Sequence, residues 1–344
     1  MTAIDLSLRP NSKLPLLTSI YPLIDTHTHF DAPVFDEDRG LQARQAYEYG
    51  VRHLVLVGYL ARHFDRLYTI QQAFAQPLQS TMINSTTSIT DASVHTDLYP
   101  QTHIALGLHP FYIEQHTDTH LEQLAQLLDE QQPLAIGEIG LDAFTNIMKQ
   151  PEMLAKQQRF FNAQLDMAVR HQLPVMLHIR KAHAEALALL KAHTYNAHKL
   201  GGIAHSFSGG EQEAKAFVKL GFKLGVTGQV TNPNAKKLRR AIQAAVEMYG
   251  IECLVIETDC PDMTPIMCQT SAGSQSALGQ SIDNEWQGAA GHNRNVPGNL
   301  PWVLHTLGEL LHVAPADLAR QLWQNSCDAL QVTWAYPEPS VTIE

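Results

Sequence analysis

Ala135-Ile136-Gly137-Glu138-Ile139-Gly140-Leu141-Asp142 begins as an apolar run and sets a carboxylate directly behind it. A charge at the end of a buried run is costly unless something neutralises it. The run lies between segments of helical period, so it reads as one strand of a parallel sheet. With this strand taken as Leu134–Gly137, seven more follow the same pattern: Leu23–Thr26, His53–Val57, Ile104–Gly107, Pro174–Leu177, Gly202–Ala204, Lys223–Val226 and Cys253–Glu257. Eight strands alternating with amphipathic stretches predict a (β/α)₈ barrel. Leu154, Phe161, Leu165 and Ala168 mark one helix face within Leu154–His171. Leu238, Ile242, Ala245 and Tyr249 mark another, in a helix that starts after Asn232-Pro233 and stops at Gly250. A last helix near Pro315–Leu330 is expected to pack outside the barrel.

The chain has 344 residues, 44% of them hydrophobic, which suits a single barrel domain over 21–335. Residues 1–20, with Pro10 and Pro15, read as an extension along the barrel surface. Segments 77–103, rich in Ser and Thr, and 267–292, rich in Ser, Gln and Gly, read as insertions. The second follows the last strand and borders the barrel mouth, either as a lid or as a loop without function. A net charge of −10 argues against a broad nucleic-acid-binding surface but leaves room for a small anion site. Cysteines 253, 260, 268 and 327 form no CxxC pair, and no run of 18 apolar residues occurs. A cytoplasmic monomer without membrane attachment is the expectation.

Of 18 histidines, those that matter are sorted by position. Asp25-Thr26-His27-Thr28-His29 puts two imidazoles on one strand face, because residues two apart point the same way. Other strand ends carry Glu138, His178, His205 and Asp259. Any one of them has an ordinary reading as a satisfied buried polar residue; six at equivalent barrel positions do not. Imidazole and carboxylate donors suit Zn, Mn, Mg, Fe or Ni, and six are too many for one tetrahedral ion with an open position. Two divalent ions are therefore expected: His27, His29 and Asp259 on one, His178 and His205 on the other, and Glu138 bridging. Two ions bring four positive charges and Glu138 with Asp259 remove two, which favours an anionic substrate such as a phosphate ester.

These strings, together with Gly107-Leu108-His109-Pro110, Leu177-His178-Ile179-Arg180, His205-Ser206-Phe207-Ser208-Gly209 and Glu257-Thr258-Asp259-Cys260-Pro261-Asp262-Met263, resemble the TatD family of metal-dependent hydrolases, in its YjjV-like branch. They run in family order from residue 22 to about 330. The resemblance implies a distorted TIM barrel of the amidohydrolase type and a deoxyribonuclease or 3′-end exonuclease acting on phosphate esters, DNA ends or nucleotides. It puts the metal positions on the same six residues, with Asp259 and Glu138 catalytic in a metal-activated hydroxide attack on phosphorus. His109 matches a position lining the site, to contact phosphate or to bond within its own turn. Arg180 and His183 match a substrate-binding pattern; Arg180 holds a phosphate or pairs with a carboxylate. Arg294 falls where relatives have Arg-Asn-Glu-Pro, but Val296 replaces the glutamate here. Cys260 is expected to be a small buried residue. An amidase or lactonase of the same superfamily and a non-enzymatic metal-binding scaffold are the alternatives.

Overall fold

The computed structural model describes residues 19–75, 98–269 and 293–337. Most of the extension read at 1–20 and of the insertions read at 77–103 and 267–292 falls outside them, but the first insertion ends earlier than expected, since β3 already begins at Gln101. Eight parallel strands form one sheet in sequential order: β1 Leu23–Thr28, β2 Val51–Val57, β3 Gln101–Leu106, β4 Ala135–Asp142, β5 Val175–Arg180, β6 Ile203–Ala204, β7 Lys223–Val226 and β8 Leu254–Ile256. Between and after them come helices α1 Arg39–Glu48, α2 Phe64–Ala75, α3 Asp118–Gln131, α4 Pro151–His171, α5 His183–Ala192, α6 Ala197–Leu200, α7 Glu211–Lys219, α8 Lys236–Tyr249, α9 Leu300–Leu311 and α10 Pro315–Leu330. The ring closes just above β8, where Asp259 N–H donates to His27 O and His29 N–H to Cys260 O, both at 2.9 Å.

Strand alternation builds two apolar layers. Leu54, Leu56, Ile104, Leu106, Ile136, Leu177 and Leu224 face the helices. Val55, Val57, Ala105, Ala135, Met176, Ile203 and Val255 form a second cluster, which fills the barrel. Two residues further along the inner face, Met176 gives way to His178, Ile203 to His205 and Val255 to Glu257. The same two-residue period that packs the barrel thus delivers polar groups at its C-terminal rim.

Only β7 keeps its sequence-based bounds; β2 and β3 begin earlier, at Val51 and Gln101, and three strands gain length at the far end. β1, β4 and β5 run past their apolar residues to Thr28, Asp142 and Arg180, because backbone pairing continues, as far as Asp142 opposite Arg180. α10 packs outside β1 and β8 as expected, but its last residues and the chain beyond it turn under the barrel. Ala329 and Leu330 join the inner cluster, and the Trp334 ring stacks on His53 at 3.9 Å and on His103 at 4.3 Å. This aromatic floor was not foreseen. No helix among the described residues is long and apolar enough to cross a membrane.

Candidate metal centre

Glu138 reaches the site through an irregularity. Gly137 pairs with Met176 and Ile139 with Leu177, so Glu138 is one extra residue without a partner on β5. Strict alternation would turn Glu138 outward with Ile136. The bulge turns it into the barrel and sends Ile139 back to the helices, a re-aiming that bulges beside active sites commonly perform.

Once inside, Glu138 is 1% exposed and surrounded by imidazoles. Its Oε2 lies 3.4 Å from His27 Nε2 and 3.3 Å from His29 Nε2. Its Oε1 lies 2.7 Å from His178 Nδ1, 3.2 Å from His109 Nε2 and 3.5 Å from His205 Nε2. Asp259, in a left-handed backbone conformation with φ 54°, faces the same space. Its carboxylate oxygens stand 3.9 Å from His27 and His29 and 3.6 Å from His205. All six residues expected from the strand ends therefore meet at one rim, with His109 beside them.

The outer atoms of these rings decide what the inner ones offer. His29 Nδ1 is 3.1 Å from Val57 O, an acceptor only, so the Nδ1 proton is held there and Nε2 keeps its lone pair for the site. Glu257 Oε1 stands 2.9 Å from His205 Nδ1, a charge contact that favours a proton on that nitrogen without an aligned hydrogen bond. Asp142 holds His178 Nε2 at 3.0 Å, so His178 presents Nδ1. His109 is the opposite case. Its Nδ1 accepts from Phe111 N–H at 2.9 Å, which puts the neutral ring's proton on Nε2 and makes that atom a donor toward Glu138. Of the two sequence readings, the bond within its own turn is present at Nδ1, while Nε2 faces Glu138 in the site. His109, Glu138 and His178 are close enough to share an ion, as are His27–His29–Glu138 and His27–His205–Asp259. The tautomer of His109 makes the first group the poorest of the three.

Burial raises the cost of every charge here, and partners decide each outcome. Against its own burial, Glu138 is held well below the usual carboxylate range by His109, His205, His27 and His178. Burial works against charged His29, His178 and His205, but neighbouring carboxylates win and push them up to about 9, 9 and 10. Burial, reinforced by His205, takes His27 down to about 3; burial also lowers His109, to about 4, and raises Asp259 to about 7. Both His27 nitrogens and Glu138 Oε2 are buried without a hydrogen-bond partner. Orphaned lone pairs converging from imidazole and carboxylate are what a divalent cation satisfies.

Asp142 and Glu257 lay within the quoted strings but were given no role. Both are buried and held below the usual range, each against its own burial, Asp142 by His178 and Glu257 by His205. Strand alternation was the available signal for Glu257, which lies inward two residues beyond Val255. Counting them changes the expected charge sum: four carboxylates rather than two would stand against whatever cations the site takes up.

The outlying predictions fare differently. Arg180 is exposed, with its guanidinium over the Phe144 ring at 3.5 Å; it makes no ion pair at contact distance among the described residues, though its charge pulls down the Asp262 carboxyl that burial raises. His183 packs edge-on against Phe207 and Phe217. Arg294 is spoken for: it binds Asp38 at 2.5 and 3.0 Å and Val34 O at 2.7 Å, and lies over Phe35. It ties the segment after the second insertion to the β1–α1 loop, a structural job that leaves no free fork for a phosphate. Cys260 is fully buried against Thr28, as a small packed residue should be.

With this geometry in view, the comparisons decide the family. The family model of TatD related DNase matches residues 24–331. The chain belongs to that family. It is 36% identical over 242 residues to YjjV, an uncharacterized metal-dependent hydrolase of Escherichia coli K12, covering 70% of this chain and 80% of that one. The crystal structure of that TatD homolog superposes with a TM-score of 0.68 at 31% identity, over 90% of this chain and 98% of the other. The 3′-5′ ssDNA/RNA exonuclease TatD of Salmonella typhimurium is 30% identical over 204 residues, 58% of this chain and 75% of that protein. The TatD-family barrel described here is thus a metal-dependent hydrolase with candidate metal-binding clusters at its rim.

Proposed function

We propose that this TatD-family hydrolase removes nucleotides from the 3′ end of single-stranded nucleic acid, using two divalent ions held by His27, His29, Glu138, His178, His205 and Asp259. The observation that carries the reading is Glu138: fully buried, within 3.5 Å of five imidazoles, and with Oε2 unpartnered. A carboxylate so placed can be shared by two cations, whereas an amidase or lactonase centre commonly uses a carbamylated lysine for that purpose. The Salmonella relative's name supports the substrate class. Four free cysteines fit a reducing cytoplasm, where we place the protein.

His27, His29 and Asp259 would hold one ion and His178 and His205 the other, with Glu138 between them. Divalent ions bound there would polarise a phosphoryl oxygen and make water acidic enough to react near neutral pH. The chain's own residues do the rest. As water attacks phosphorus, Asp259 takes its proton. The same carboxyl then returns the proton to the departing 3′ oxygen as the old phosphorus–oxygen bond breaks. His109 keeps an N–H donor in the site for phosphate. Glu257 and Asp142 keep His205 and His178 aimed inward.

The direct test is a labelled single-stranded oligonucleotide incubated with protein of confirmed metal content. Stepwise release of 5′-mononucleotides from the 3′ end is expected. A metal-loaded protein that cleaves no oligonucleotide end would overturn the proposal.

A further inference from the structure

Seven large hydrophobic side chains are exposed among the described residues, and three stand on the barrel rim: Phe144 and Ile147 after β4, and Ile266 beyond β8. Phe144 is the one aromatic ring of the seven, and 46% of it is exposed. It is also wired to the centre. Phe144 N–H donates to Asp142 Oδ1 at 2.8 Å, and the other oxygen of that carboxylate holds His178 at 3.0 Å. Ala143 N–H donates to Arg180 O at 2.8 Å, fixing the strand end that carries the guanidinium. That guanidinium lies over the ring in cation–π contact and makes no hydrogen bond or ion pair among the described residues. Its N–H donors are left for an anion.

We propose that Phe144 and Arg180 form a platform for the terminal nucleotide, with a base stacked on the Phe144 ring and a phosphate oxygen bound by Arg180. The inference rests on the nuclease reading above and names the part of the substrate that the barrel mouth grips. An exposed aromatic ring beside an exposed guanidinium is the pairing that single-strand binders use, since every base offers a π-face and every linkage a charge. The charge of the centre strengthens the need: with four carboxylates standing against its cations, a further positive charge outside it adds to the attraction for an anion. Arg180, two residues along β5 from His178, is a cation with no partner at hydrogen-bonding distance among the described residues, its charge felt by the nearby Asp262 carboxyl. The loop between β4 and α4 sets ring and centre in one rigid frame through Asp142.

The test uses metal-loaded protein and two single-stranded decamers, one normal and one lacking the last two bases at its 3′ end. Phe144→Ala should raise KM about tenfold on the normal decamer with little change in kcat, and should match wild type on the abasic one. Phe144→Trp should retain tight binding, which separates stacking from damage to the loop. Arg180→Gln should raise KM on both decamers, because both keep their phosphates. An unchanged KM for Phe144→Ala, or an equal rise on both decamers, overturns base stacking; an unchanged Arg180→Gln overturns the phosphate contact. Wild-type protein that cuts neither decamer overturns the nuclease reading and the platform with it, a result distinct from the first two.

Discussion

Glu138 carries more of the account than any other side chain, because its charge is what the surrounding imidazoles lean on. Glu138→Gln keeps the shape and removes the charge; metal affinity should fall at least a hundredfold and activity with it, by calorimetric titration and initial rates. Retention of full metal content would refute the role. Glu257 acts one shell out. It receives Ser206 N–H at 2.6 Å and Thr26 Oγ1 at 3.2 Å while it orients His205. A glutamine carbonyl in place of Oε1 would still face Ser206 N–H and His205 Nδ1, and its amide would face Thr26 Oγ1, but the negative charge beside the His205 ring is lost. Glu257→Gln should therefore weaken metal binding roughly 10- to 100-fold with secondary structure intact; an unaltered affinity would remove the positioning role. Arg294→Ala tests the correction at the other end of the list. Loss of its half-exposed pair with Asp38 should cost at most about 1 kcal/mol of stability and leave hydrolysis rates as they were. A hundredfold drop in rate with no change in melting temperature would restore Arg294 to the site.

At the scale of elements, what could be read in advance and what could not divide along strand geometry. Eight apolar runs, the α4 and α8 faces and the span of α10 were legible because burial writes a period into sequence. Which way Glu138 points was not. Its position by count is outward, and only the extra residue on β4 opposite Met176 and Leu177 reverses it. A bulge changes side-chain parity without changing residue type, so no periodicity reports it. The floor under the barrel was hidden for a different reason: Trp334 lies in irregular chain after α10, and its stack on His53 joins residues far apart in sequence. Roles for Asp142 and Glu257 were missed because partners of partners have no motif of their own. The close packing of β7 on β8 gives an element-scale prediction. A Cβ at Gly225 would sit 2.3 Å from Glu257 Oε1, so Gly225→Ala must push that carboxylate off His205. Metal affinity should fall about tenfold and stability by about 1–3 kcal/mol, in titration and chemical denaturation. Normal affinity in a stable Gly225→Ala protein would show that Glu257 can move without consequence.

Across the whole molecule, the barrel separates a polar rim from a floor of aromatic and histidine rings, and the two ends answer to pH in different ways. At the floor, burial lowers His53 to about 3 and His103 to about 4, and their rings meet at 3.0 Å. Unfolding frees them to take protons near pH 6.5, so the unfolded chain binds more protons than the fold below that value. Stability from this pair is whole above about pH 6.5 and drains away as pH falls toward 4. His53→Phe keeps a ring for Trp334 to stack on, and should shrink the drop in melting temperature between pH 7.5 and 5.5; an identical drop would clear the pair of that effect. At the rim the governing matter is the cations. Crystals grown with manganese and measured at its absorption edge address this most directly. Two anomalous peaks roughly 3.5–4 Å apart are expected, one within bonding reach of His27, His29 and Asp259, the other of His178 and His205, both touching Glu138. A manganese-bearing crystal with no peak among these side chains, or with Glu138 turned away from the ions, would contradict the account.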